Sequence, residues 1–140
     1  MLRAFLAIVG AAIAGIVTMM IMESLSVTLF PLPPGIDLSK SGASAGYVDA
    51  MPLGAKLLTL FGWAGASYLG AALATRLAHW PTMLPGLVAG AVTLLAGVLN
   101  LAMIPHPWWM WLFGIAALTA PAYYVARQAA PKRVDMRTAA

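Results

Sequence analysis

The stretch FLAIVGAAIAGIVTMMIMESLSVTLF, residues 5 to 30, decides the fold: it is apolar almost throughout and holds one ionisable side chain, Glu23. A bilayer core of about 30 Å needs about 20 mostly apolar residues at about 1.5 Å each, so a helix here is long enough to cross. Working outward, three further stretches meet the same requirement: Pro52 to Arg76, Thr82 to Ile104 and Pro107 to Arg127. Prolines punctuate them, because proline cannot continue a helix and disfavours helical geometry before it: Pro31, Pro33 and Pro34, then Pro81, then Pro105 and Pro107. Pro52 and Pro85 are expected in first turns, Thr82 as an N-cap, and Pro121 as a kink inside the fourth span.

Composition agrees. The 140 residues are 62% hydrophobic and 9% charged, with a mean hydropathy of +0.89, whereas a soluble domain carries about 25% charged residues. That excludes a water-soluble globule and intrinsic disorder alike. There is no cysteine, which removes disulfides, thiolate metal sites and cysteine nucleophiles. The fold expected is all-α, a single membrane domain over 1–140: a four-transmembrane-helix bundle with an outer loop at 31–51 and a basic cytoplasmic tail at 128–140. A cleaved signal peptide competes for the N-terminus, but the apolar run continues to Phe30, past the length of a signal h-region.

Orientation follows from positive charge, which stays cytoplasmic beside short loops. Arg3, Arg76, Arg127, Lys132, Arg133 and Arg137 fall on one side, and Lys40 and Lys56 on the other. Both termini are therefore expected in the cytoplasm, with the basic tail against anionic headgroups and no nucleic acid partner. Trp108, Trp109 and Trp111 mark the outer interface; Trp80, Tyr123 and Tyr124 mark the inner one. Trp63 and Tyr68 lie inside the second span, where each needs a hydrogen-bond partner or a packing role.

Membrane helices associate through close backbone approach at small residues. Gly62, Ala66, Gly70 and Ala74 recur every four residues in the second span, and Gly86 and Gly90 begin a similar face in the third that continues through Thr93 and Gly97. The short connection makes these two spans expected neighbours, with a partner chain as the alternative surface for one stripe. Paired Pro-x-Pro turns after the first and third spans, and Leu-Phe-Gly at 60–62 and 112–114, raise a duplicated hairpin against chance similarity.

Glu23 is the acid to explain, since a carboxylate at a helix centre costs about 2.5–3.5 kcal/mol. Three readings compete: a protonated group hydrogen-bonded in the bundle, a proton- or cation-handling group facing a polar cavity, and a residue reaching the outer headgroups. Asn100 lies at a similar depth in the third span and His106 in the following turn, so Glu23, Asn100 and His106 form a candidate polar pocket if the first and third spans touch. A hydrogen-bonded pair that sets helix register is the structural alternative. No metal site is expected, because His79 and His106 lie at opposite faces and neither has ligand spacing. No phosphate loop, catalytic triad or nucleophile elbow is present, and no cofactor is expected. The nine methionines read as apolar filling. In the outer loop, Pro33 to Asp37 reads as a turn, Asp37 as a cap on a helix starting at Leu38, Ser41 to Gly46 as flexible, and Tyr47 to Met51 as resting on the interface.

Glu23, the segment Phe30-Pro31-Leu32-Pro33-Pro34-Gly35-Ile36-Asp37 and Ile104-Pro105-His106-Pro107-Trp108 resemble a recurrent group of small, uncharacterised four-helix bacterial inner-membrane proteins. The resemblance implies that architecture and location and no reaction. The plan of four spans with one acid in the first is also similar to that of small multidrug-resistance transporters, although the aromatic and glycine motifs of that family are absent. The function expected is a non-enzymatic accessory or interaction subunit, alone as a homo-oligomer or in a larger membrane complex. The alternative is a small proton-coupled transporter or ligand-binding membrane protein using Glu23.

Overall fold

A computed structural model describes residues 2–31 and 43–129. They form five helices and, among the described residues, no strand: α1 (Leu2–Leu29), α2 (Ala43–Ala50), α3 (Leu53–Ala78), α4 (Leu84–Met103) and α5 (Trp108–Gln128). Four of these, α1, α3, α4 and α5, are long and apolar enough to cross a membrane. The fold is thus the expected all-helical one, with α2 added. Ala43 to Gly46 are helical where a flexible stretch was expected; the proposed turn at Pro33, the Asp37 cap and the basic tail lie outside the described residues.

Local chemistry sets the ends. α1 stops at Leu29 before Pro31, and Pro85 sits in the first turn of α4, where a missing N–H goes unneeded. Thr82 does not cap that helix: Met83 holds the cap position and no side chain bonds the free N–H groups. α3 ends on His79 in the left-handed region at φ 55°, a conformation that usually calls for glycine. α5 continues through Pro121 to Gln128, although proline has no N–H to return to Ala117.

α3 is the hub, touching α1, α4 and α5, while α4 also touches α1 and α5. Its stripe is wholly buried and packs chiefly on α1, while Gly70 also lies beside Thr93 and Ala74 beside Ala89 of α4. A Cβ built on Gly62 would meet Met22 Cβ at 2.5 Å, and one on Gly15 would meet the Ala66 carbonyl at 3.0 Å. The α4 stripe is shared between α5 and α3: a Cβ on Gly90 would lie 2.5 Å from Ala122 Cβ, and one on Gly86 would lie 2.7 Å from Thr75 Cγ2 and 3.1 Å from Ala126 Cβ. α3 and α4 are neighbours as their short connection predicts, and their small-residue faces meet in part while each also seats a second helix. Both stripes are consumed within the chain. The reason is steric: a row of small residues seats a helix carrying ordinary side chains as well as it seats another bare row.

These pairings also fix directions. α1 and α4 run parallel, since Gly15 lies against Thr93 and Glu23 against Asn100. α3 and α5 run parallel, with Trp63 against Gly114 and the Ser67 hydroxyl donating to the Leu118 carbonyl at 2.5 Å. A duplicated hairpin would make α1 against α5 the equivalent of α3 against α4. α3 and α4 touch, whereas α1 and α5 do not approach one another among the described residues, so the packing is not two-fold symmetric between the hairpins.

The buried centre is small and apolar. Met19, Leu60, Trp63, Ala66, Leu101 and Leu118 form its main cluster, with alanine clusters toward the other end. Arg3, Arg76 and Arg127 gather at that other end, the arginine end; α2, Lys56 and the α4–α5 turn gather at the opposite one, the α2 end.

Candidate functional site

Helical side chains lean toward their own N-terminus. Glu23 on α1 and Asn100 on α4 therefore lean from the α2 end toward the middle of the bundle, while Trp63, on the oppositely directed α3, leans up to meet them. The three converge on one atom. The Trp63 indole Nε1–H donates to Glu23 Oε1 at 3.2 Å, and the Asn100 amide donates to the same oxygen at 3.4 Å. Among the described residues no donor reaches Oε2. Trp63 is fully buried, 0% exposed, so its donor is held by packing before any ligand arrives.

Glu23 and Asn100 stand in the wall of a cavity of about 290 Å³, with the buried Trp63 ring behind Glu23. α1 supplies Met20, Glu23, Ser24 and Val27, spaced along one face, and α2 supplies Tyr47 and Val48. Thr59, Asn100, Ile104, His106 and Met110 complete the wall together with Met51. Val48 is almost wholly buried at 2% exposure and pins α2 in place. The Thr59 hydroxyl already donates to the Ala55 carbonyl at 3.1 Å, so it presents lone pairs. Tyr47 sits at the cover. Burial, and after it the nearby Glu23 carboxylate, push its phenol above the ordinary 10.0, so its O–H is retained at neutral pH and available to donate.

The three residues singled out in the sequence all line this cavity, but they are not one hydrogen-bonded set. Glu23 and Asn100 bond directly, which requires α1 and α4 to be neighbours, as they are. His106 turns its Nδ1 to the Ile104 carbonyl at 2.6 Å and its ring edge to Trp63, with centroids 6.3 Å apart. It reaches Glu23 through the indole that both touch. Sequence reasoning left Trp63 out of the set, though it flagged an indole N–H inside a span as needing a partner. The unpartnered N–H was the signal; that it points at Glu23 follows only from the packing, in which Gly62, next to Trp63, seats Met22, next to Glu23. Tyr47 and Ser24 carried no comparable mark.

A cavity of this kind can orient a polar head with few groups and accommodate an apolar body with the rest. Among the described residues no group of three or more histidines and acids is placed to hold a metal ion. No protein-family model, curated protein or solved structure matches this chain, and the site stands on its own geometry.

Proposed function

We propose that this chain is a multi-pass protein of the bacterial inner membrane, with both termini cytoplasmic, that binds a small organic molecule in the Glu23 cavity at its outer end. The observation that carries the reading is the cavity itself. At about 290 Å³ it lies at the lower edge of the roughly 300–1,000 Å³ range of small-molecule sites, and the one acid inside a span-length helix forms part of its wall. Ionisable groups at such positions mark substrate and ion pathways more often than packing. The charge pattern supports the orientation: three arginines stand at one end against Lys56 at the other, and the sequence beyond adds Lys132, Arg133 and Arg137 against Lys40. In the transporting form of this reading, Glu23 takes up a proton as the ligand leaves.

The test is native mass spectrometry of the protein released from native membranes in a mild detergent. A small-molecule adduct is expected on the wild type and not on Ser24→Phe, which fills the cavity from a lining position. An adduct that persists in Ser24→Phe places the ligand elsewhere and ends the proposal.

A second reading is an accessory subunit. It is favoured by an apolar groove of about 300 Å³ between α3 and α5, where Phe61, 73% exposed, and Phe113 frame a seat for a partner helix. The same spectra decide it, since a fixed-stoichiometry protein partner lost on Phe61→Ala supports this reading and a partner-free protein removes it.

A further inference from the structure

The chemistry of the cavity wall narrows what it holds, and the inference rests on the reading of the cavity as a binding site. The described lining carries one acid, Glu23, and no lysine or arginine. Among the described residues, the two groups within hydrogen-bond distance of that acid are the Trp63 and Asn100 N–H donors, both neutral and both on Oε1. Neutral donors complement a carboxylate's lone pairs without cancelling its charge. Ionisable side chains within membrane spans are ordinarily paired; here the lining histidine, His106, turns its Nδ1 to the Ile104 carbonyl, while no lysine or arginine of the described lining supplies an opposite charge. The occupant is what can supply it.

Size and wall character say what kind of cation. A water molecule's share of liquid volume is about 30 Å³, so a bare inorganic ion would leave most of the roughly 290 Å³ vacant. Dications also require a cage of about six or more oxygens, which one carboxylate does not provide. The rest of the wall is largely aliphatic and thioether: Met20, Val27, Met51, Ile104 and Met110. Methionine is the side chain best able to reshape itself around an apolar body.

We propose that the cavity takes an organic ammonium, its positive nitrogen against the Glu23 carboxylate and a compact apolar body against Met20, Met51, Ile104 and Met110. A free amphipathic amine and the ethanolamine headgroup of a phospholipid share this chemistry. The nitrogen approaches Oε2, while Oε1 stays fixed by Trp63 and Asn100.

The experiment uses the full chain in a neutral maltoside detergent, with ¹⁵N-labelled tryptophan and the Trp63 indole resonance assigned by its loss in Trp63→Phe. Three probes with one body and different charge are titrated: phenethylammonium, 2-phenylethanol and 3-phenylpropionate. The cation is expected to shift the Trp63 resonance with an affinity about tenfold or more above the alcohol, the carboxylate not at all. Glu23→Gln retains an acceptor for both N–H donors and is expected to bring the cation down to the level of the alcohol. Equal affinity of cation and alcohol for the wild type overturns the ammonium assignment and leaves the binding cavity standing. Silence from all three probes, with no adduct on the native protein, overturns the cavity reading as well. Short-chain phosphatidylethanolamine then identifies the source: displacement of phenethylammonium by it and not by phosphatidylglycerol assigns the ammonium to a lipid headgroup, and the absence of displacement assigns it to a free amine.

Discussion

Trp63 shows how one residue joins packing to chemistry. Its ring belongs to the central apolar cluster, and its single N–H ends on Glu23. Trp63→Phe keeps most of the ring and removes the donor; a hydrogen bond to a charged group contributes about 1.5–3 kcal/mol, and a loss of stability of that order is expected in detergent unfolding. Glu23→Gln, which still offers an oxygen, is expected to cost less, and the double variant to cost less than the sum of the two, because the bond that Gln weakens is already absent in Trp63→Phe. Strict additivity would show the contact to be energetically silent. Tyr47 gives a pH signature at the same scale. Burial and the Glu23 charge raise its phenol above 10.0, so the folded protein prefers the neutral form. The stability this contributes is whole below that ordinary value and is lost as pH climbs through the raised one. Ultraviolet titration of the phenolate should show one late-ionising tyrosine absent from Tyr47→Phe, and in Glu23→Gln it should ionise earlier but still late, since burial remains. An unchanged midpoint in Glu23→Gln would separate the two groups.

At the scale of the element, the helices differ in how much of them the sequence reveals. The four span-length helices were readable because length and apolarity are properties of each segment alone, and proline marks where they stop. α2 was not, because Ala43 to Ala50 is short and only weakly apolar, and among the described side chains it is anchored by Val48. Which stripe faces which helix was not readable either, because small residues define a smooth surface and carry no address. The structure does assign them, and the glycines test it. At Gly90 an added methyl would meet Ala122 Cβ at 2.5 Å, and at Gly62 it would meet Met22 Cβ at 2.5 Å, both rigid near-backbone atoms. Gly90→Ala and Gly62→Ala are each expected to destabilise by about 1–3 kcal/mol through overpacking. At Gly65 and Gly10 no atom lies within 4 Å, so alanine there should be neutral or stabilising by up to about 1 kcal/mol through helix propensity. Thermal unfolding of the four variants reads this directly; equal behaviour of Gly62 and Gly65 would mean that α1 does not sit on the stripe.

Across the whole molecule, function turns on which side of the membrane the cavity faces. The candidate pocket was half legible on this point: Glu23, Asn100 and His106 share an end because chain direction alternates, but their meeting depends on the lateral order of helices, which no periodicity encodes. The proposed orientation rests on basic residues, with Arg3, Arg76 and Arg127 at the end away from the cavity. The chain has no cysteine, so single cysteines report without background. Gly46 on α2 has open space around its Cβ, and Thr82 is exposed in the turn between α3 and α4. In intact spheroplasts, a membrane-impermeant maleimide is expected to label Gly46→Cys at once and Thr82→Cys only after permeabilisation. The reverse pattern would leave the bundle and its cavity unchanged and turn the cavity to the cytoplasm. Labelling of both from outside would mean that Gly46 and Thr82 are not separated by a bilayer, against the four-span reading. With Gly46 outside, saturating phenethylammonium adds a further constraint: the cavity is lined by Tyr47 and Val48 of α2, so labelling at position 46 should change rate with occupancy while labelling at position 82 does not.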